Sequence, residues 1–519
     1  MFNSTKTLLS FFTLALFLVS CKTTQTVTSN SITDDGIIEF TILQINDVYE
    51  ISTQEGGKVS GMARLATLHQ QLKKENPNTL FVLAGDFLNP SLYGTIKGAD
   101  KKPVAGKQMV EAMNTAGVDL VAFGNHEFDL SEAQLQERIN LSDFAWVGAN
   151  VLQKQLDTSP PFTAQSPAEK LQPFYQVKNG QAERIAETYT WQINDADGTM
   201  LDIGFFGATI NSNPKDYVVY QEFKAKAVQD YLDLNCSTDF VLGLTHLSIR
   251  EDMELAAMLP NVPLIMGGHE HKNMKVQVGD VVITKADADA KTAYVHRFKV
   301  NNGMGTYEFT SELVKIGEQL AQEPTTKAVV SKWETQLNER IKDVYPEPNK
   351  VIYTAKVPLD ASRIRYEQTN LGAMMCQALI ANSPQPAVAS MMNSGSVRIE
   401  DHLENDIEAI GIFKTLPFPG YVSAAEMKGD TLLSILKTGL VEKYGSGSYL
   451  QVQQLTYNVE NHTGTIAGQP IQANQNYVIA INDYLLKRFV KEGTLEKKDY
   501  PKGKDVRVAI IEYMDGLGK

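Results

Sequence analysis

The sequence predicts an α/β protein of two layered units joined by a helix, and three observations predict it. From Ile37 onward, short apolar runs alternate with amphipathic segments, as when strands take turns with helices in one packed domain. A helical stretch around residue 333 is halted by Tyr345-Pro346-Glu347-Pro348, and a further mixed region follows it. Finally, 519 residues with 43% hydrophobic and 21% charged side chains supply more than one core, at roughly 150 residues per domain. That composition excludes collagen-like, coiled-coil and wholly disordered chains.

In chain order, Lys6 precedes an apolar run from Leu8 to Val19, followed by Ser20-Cys21. The run has the length of a signal-peptide core and is too short to cross a bilayer of ~30 Å as a helix. Leu18-Val19-Ser20-Cys21 resembles a bacterial lipobox. The resemblance implies a signal peptide over residues 1–20 and a lipid on Cys21, holding the chain to the cell envelope on its periplasmic or outer side. A plain secretory signal is the alternative. Residues 21–36, rich in Thr, Ser and Asn without an apolar period, read as a tether. No other segment approaches ~20 apolar residues, so no spanning helix is expected.

Residues 37–322 form the first unit. Strands are expected at Ile38–Ile45, Thr79–Ala84, Leu120–Phe123, Ile203–Ala208, Phe240–Thr245, Val262–Met266 and Val281–Thr284, with helices near Met62–Lys74 and Val104–Ala116. Residues 323–349 read as a linker helix, with Ala328, Val329, Trp333, Leu337 and Ile341 at helical spacing. Residues 350–519 form the second unit, with a helix at Asn370–Asn382 and strands within Ser448–Val459 and Asn476–Asp483.

A net charge of −13 without a Lys/Arg block argues against a nucleic-acid polymer as partner, and no obligate protein partner is evident. Three cysteines cannot build a disulfide framework, and Cys376, inside an apolar run, reads as a buried thiol on a core helix.

The chemistry gathers where strands end. Such runs lead directly into Asn46-Asp47-Val48-Tyr49, Gly85-Asp86, Gly124-Asn125-His126-Glu127-Phe128-Asp129, His246 and Gly267-Gly268-His269-Glu270-His271. Loops at strand ends can converge on one point, and their glycines let backbone approach an ion or phosphate closely. Four of the eight histidines fall in these places, whereas His69, His296, His402 and His462 have no such context.

These ordered motifs resemble those of calcineurin-like metallophosphoesterases, and within them the bacterial 5′-nucleotidases that carry a C-terminal substrate domain. In the second unit, Asn393-Ser394-Gly395-Ser396-Val397-Arg398, Leu416-Pro417-Phe418-Pro419-Gly420 and Gly447-Ser448-Tyr449-Leu450-Gln451-Val452 are similar to motifs of that domain. The resemblance, running from about residue 38 to the end, implies a four-layer β-sandwich flanked by helices plus a C-terminal α/β domain. It implies two divalent or mixed-valence metal ions, with Mn, Zn, Fe or Co suited to a carboxylate, imidazole and amide donor set. Asp86 would bridge both ions, Asp47 and His271 would bind the first, and Asn125, His246 and His269 the second. A hydroxide readied by the two metals would then attack phosphorus in line. His126, oriented by Asp129, would protonate or stabilise the leaving alkoxide.

The family pattern Asp-x-His is here Asp47-Val48-Tyr49. A neutral phenol, with a pKa near 10, binds divalent ions poorly. Tyr49 therefore binds iron, leaves a weaker first site, or yields to another group. For substrate, the resemblance implies arginines near the phosphate, with Arg398 the first candidate and Arg363 or Arg365 the second, and a stacking ring at Tyr449. The glycine-rich loop that brings a second ring is missing after Asp483-Tyr484-Leu485, leaving Phe489 as a stand-in. The leading expectation is hydrolysis of nucleoside 5′-phosphates. Alternatives are 2′,3′-cyclic nucleotides or non-nucleotide phosphate esters, or a non-catalytic envelope protein that binds a phosphorylated ligand.

Overall fold

Four parallel strands, Ile37–Ile45, Thr79–Ala84, Leu120–Ala122 and Ala145–Val147, stand side by side, and Thr292–Asn301 and Thr306–Lys315 extend that sheet antiparallel beyond the first. The computed structural model describes residues 35–54, 57–98, 101–157, 168–399 and 402–518. The expected signal peptide and Cys21 lie outside the described residues. A second sheet runs Met274–Val278, Val281–Lys285, Leu264–Met266, Phe240–His246, Met200–Thr209 and Tyr189–Asn194, its four central strands again parallel.

Alternation along the strands builds the layers. Ile38, Phe40 and Ile42 point into the gap between the sheets, where Val82 and Ala122 meet Ile203, Phe205, Leu242 and Leu244. Leu43 and Ile45 point the other way and pack beneath helices Met62–Glu75 and Lys107–Ala116. On the far side, Phe206, Val241 and Ile265 pack under Phe223–Asn235 and Ile249–Met258. The order helix, sheet, sheet, helix is the expected four-layer sandwich.

Helix Pro324–Lys342 starts where Glu323 accepts hydrogen bonds from the Thr325 and Thr326 amides, at 3.0 and 2.7 Å. Its buried stripe is Val330, Trp333, Leu337 and Ile341, packed on Met62–Glu75 and Lys107–Ala116. Ala328 is exposed and Val329 half-buried, so the stripe begins at Val330, one turn before Trp333. This linker helix therefore packs against the outer helices of the first unit.

The second unit centres on a five-stranded sheet ordered Leu450–Gln453, Ala389–Asn393, Asn476–Asn482, Tyr421–Lys428 and Lys502–Asp505. Asn370–Ala381 and Val506–Leu517 cover one face. Gly429–Lys437 and Asp483–Lys491 cover the other. The β-stretch expected at Ser448–Val459 is two strands, because Gln454 adopts a left-handed φ of 61° and sends Leu455–Asn458 into a separate small sheet. Among the described residues, no helix is long and apolar enough to cross a membrane.

Candidate metal centre

Parallel strands in both sheets end on the same edge, so their following loops meet there. Asp47, Asp86 and His246, from three different strand ends, place one donor atom each within 4.8 Å of one another, all fully buried. His246 Nδ1 bonds the Ala84 carbonyl at 2.7 Å, which fixes the tautomer and turns Nε2 toward the carboxylates. That Nε2 lies 3.1 Å from Asp86 Oδ2 and 4.0 Å from Asp47 Oδ1, yet is buried without a hydrogen bond. Asn125 Oδ1 is buried without one as well. Two orphaned lone pairs beside two buried carboxylates are costly unless a cation takes them, so this donor set fits divalent metal ions.

The remaining candidates line the same place. His271 Nε2 is 3.3 Å from Asp47 Oδ1. The His269 ring lies 5.4 Å from that of His246, and its backbone amide donates to Asp47 Oδ2 at 2.8 Å. Tyr49 Oη sits 3.1 Å from His271 Nε2, 3.2 Å from Asp86 Oδ2 and 3.4 Å from Asp47 Oδ1, where the family pattern has a histidine.

Electrostatics follow from this crowding. Burial alone would lower the His246 pKa, but Asp86 and Asp47 override it and push it up to about 9. Burial would raise Asp47, yet His246 and His271 hold it below the usual carboxylate range. Burial and the neighbouring His246 lower His269.

Backbone strain concentrates here. Asp47 (φ 53°), Asp86 (φ 61°), His269 (φ 89°) and His271 (φ 60°) all sit in the left-handed region, at a cost on the order of 1–3 kcal/mol each. Two glycines permit the approach. A Cβ on Gly124 would lie 2.1 Å from Asp86 Oδ1, and one on Gly268 would lie 2.4 Å from the Ala84 carbonyl oxygen.

His126 opens a short turn, His126–Asp129, and its amide donates to Asp86 Oδ1 at 2.7 Å. Its Nδ1 bonds Asp129 Oδ2 at 2.7 Å, and Asp129 is itself held by Asn89 and Asn213. Burial pulls the His126 pKa down, but Asp86 and Asp129 raise it above the ordinary value, while Arg398 of the second unit acts in the opposite sense. Arg398 is thus near enough to act electrostatically on His126. The two units also meet at Lys414, 3.7 Å from Glu50.

The other second-unit candidates are placed differently. Arg363 is paired with Glu367 at 3.1 Å and lies over the Tyr366 ring. The Arg365 carbonyl accepts the Gly445 amide. Tyr449 is only 7% exposed, behind Tyr444 at a ring distance of 6.1 Å. Phe489 is buried among Leu450, Leu485 and Ile435, so it presents no stacking face. Exposed rings of the second unit include Tyr444, Tyr366 and Phe418, the last beneath Arg398. Sequence reasoning missed the work of Glu127, whose carboxylate accepts from the amides of Asp86, Phe87, Leu88 and Gly124, tying two metal-site loops together. Burial pushes its pKa to about 7. Its place inside the Asn125-His126-Glu127 motif was the available signal.

Residues 40–273 match the family described as calcineurin-like phosphoesterase, and residues 351–491 match that described as 5′-nucleotidase, C-terminal domain. The chain belongs to the calcineurin-like phosphoesterases that carry a 5′-nucleotidase C-terminal domain. This is a family of metal-dependent phosphoric ester hydrolases. The chain is 25% identical over 482 residues to the trifunctional nucleotide phosphoesterase protein YfkN of Bacillus subtilis (strain 168), an alignment covering 86% of this phosphoesterase but only 31% of that protein. It is 24% identical over 481 residues to the 5′-nucleotidase of Bos taurus, covering 82% of this chain and 76% of the other. Its fold resembles the crystal structure of a 5′-nucleotidase precursor from Thermus thermophilus, with a TM-score of 0.65 and 19% identity over 93% of this phosphoesterase and 97% of that chain.

Proposed function

We propose that this phosphoesterase hydrolyses nucleoside 5′-phosphates to nucleoside and inorganic phosphate. One observation carries the reading: strand ends from both sheets bring Asp47, Asp86 and His246 together, with the lone pairs of His246 Nε2 and Asn125 Oδ1 left without hydrogen bonds. Asp47, Asp86, Asn125, His246, His269, His271 and Tyr49 would hold two ions, drawn from Mn, Zn, Fe or Co. When bound, such ions neutralise phosphoryl oxygens and bring the pKa of water toward neutrality.

The chain's own groups supply the rest. Asp86 and Asp129 raise the His126 pKa above its ordinary value against burial, and Asp129 fixes its Nδ1 so that Nε2 is the nitrogen able to pass a proton to the leaving oxygen. Asp129 is kept ionised, since burial alone would raise its pKa but His126 and two amides lower it. Arg398 is the first candidate for the phosphate and Arg363 or Arg365 the second, while exposed Tyr444, backed by buried Tyr449, would stack on the base. We assign the domains to residues 37–322 and 350–519, joined by 323–349, after a signal peptide over 1–20 and a tether over 21–36. A lipid on Cys21 would keep the enzyme at the bacterial envelope.

A second reading keeps the metal centre and changes the substrate to 2′,3′-cyclic nucleotides or non-nucleotide esters. Its support is specific: helix Asp483–Lys491 occupies the stretch where the family's ring-bearing glycine loop would begin. The experiment is phosphate release from a panel of AMP, cyclic nucleotides and sugar phosphates, with Mn²⁺ and with chelator. Metal-dependent release, greatest for AMP and abolished in Asp86→Ala and His126→Ala, is expected. Full hydrolysis in both variants refutes the site, and a cyclic or sugar phosphate as best substrate favours the second reading.

A further inference from the structure

Lys285 ends strand Val281–Lys285, beside the metal-site edge, with none of its side chain exposed. A fully buried ammonium persists only where it is paired and hydrogen-bonded. Its Nζ donates to the Leu247 carbonyl at 2.6 Å and to the Gly268 carbonyl at 2.7 Å, bonds Glu270 Oε2, and lies 2.7 Å from Asp252 Oδ2. Leu247 follows His246, Gly268 precedes His269, and Glu270 separates His269 from His271.

We propose that Lys285 is a positioning residue of the metal centre, clamping the two loops that carry His246, His269 and His271 into one arrangement. The proposal rests on the metal reading above. The rest of the cluster extends the clamp. Asp252, on helix Ile249–Met258, also accepts from Thr245 Oγ1 at 2.6 Å, the residue just before His246. Glu270 turns its other oxygen to the Ile249 amide at the start of that helix. The lysine stem passes against Gly267, where a Cβ would come within 2.9 Å of Lys285 Cε. One ammonium thus joins the ends of strands Phe240–His246 and Leu264–Met266. It does so through the carbonyl one residue after His246 and the carbonyl one residue before His269, and His269 and His271 both hold strained backbone.

Its test uses the full chain and Mn²⁺ itself. Titration calorimetry gives Mn²⁺ affinity, the Co²⁺ absorption spectrum gives ligand geometry, and thermal melting reports folding. Lys285→Met is expected to melt cooperatively, bind Mn²⁺ about 10–100-fold more weakly and show an altered Co²⁺ spectrum, the usual scale for losing a partner behind a metal ligand. Glu270→Gln removes one arm of the clamp and is expected to weaken Mn²⁺ several-fold with a smaller spectral change. Should Lys285→Met fail to fold, Glu270→Gln decides alone. Mn²⁺ affinity within twofold of wild type and an unchanged Co²⁺ spectrum in the folded variants overturn the clamp while leaving the metal centre standing. Wild-type protein that binds no Mn²⁺ overturns both.

Discussion

Replacing Gly124 by alanine should disable the centre with a single methyl group. The added Cβ would stand 2.1 Å from Asp86 Oδ1 and 2.5 Å from the Asp86 amide nitrogen, and carbons of that kind do not come within 3.0 Å of other heavy atoms. Asp86 must retreat by about 0.9 Å, yet Glu127 and the His126 amide hold it from two sides. A displacement of that order costs about 10²-fold in rate when it moves a group in the reacting constellation. The assay is steady-state kinetics on AMP with Mn²⁺, alongside melting and metal titration. Gly124→Ala is expected to fold, to lose about two orders of magnitude in kcat/KM and to bind metal more weakly. Wild-type rates and affinity would show that Asp86 does not need its observed position, contrary to this reasoning.

Other outcomes follow from the same geometry. Tyr49→Phe removes an oxygen from the midst of three candidate ligands and should weaken Mn²⁺ binding by about tenfold, whereas Tyr49→His restores the family pattern and should favour Mn²⁺, Zn²⁺ or Co²⁺. Calorimetry with each ion checks this, and unchanged affinities in both variants would contradict it. Burial pushes the Cys376 thiol up to about 12, leaving about 10⁻⁴ of it ionised at pH 8, so native alkylation should label exposed Cys236 and reach Cys376 only after unfolding. Rapid native labelling of Cys376, read by mass spectrometry, would refute its burial. His296 is held neutral by burial, its pKa lowered to about 3, against about 6.5 when unfolded. The stability it contributes is full above pH 6.5 and is lost as pH falls toward 3, by about 2 kcal/mol between pH 7.5 and 5. The melting temperature of His296→Gln should therefore fall less over that range than wild type, and parallel profiles would refute the assignment.

The layers were legible because strand ends coincide with runs such as Thr79–Ala84, and because glycine, aspartate and histidine follow those runs directly. Asp47, Asp86, Asn125, His126, His246, His269 and His271 could be placed at one edge for that reason, before any contact was known. What could not be read depends on partners distant in sequence. Lys285 looks like the end of a strand until its carbonyl partners, 38 and 17 residues away, are folded over it. The left-handed backbone of four non-glycine ligands contradicts local preference and is sustained only by tertiary bonds. In the second unit, Tyr449 is the expected first stacking ring and Phe489 a stand-in for the second, but packing buries both and leaves Tyr444 exposed instead. The break at Gln454 was hidden because the residues on both sides of it favour strand.

The most direct test of the account is anomalous scattering from crystals of the full-length protein loaded with Mn²⁺. Two peaks flanking the Asp86 carboxylate, with His246 Nε2 and Asn125 Oδ1 turned to one of them, are predicted. No peak, or one remote from Asp47, Asp86 and His246, would contradict the claim that these strand ends form a two-metal hydrolytic centre.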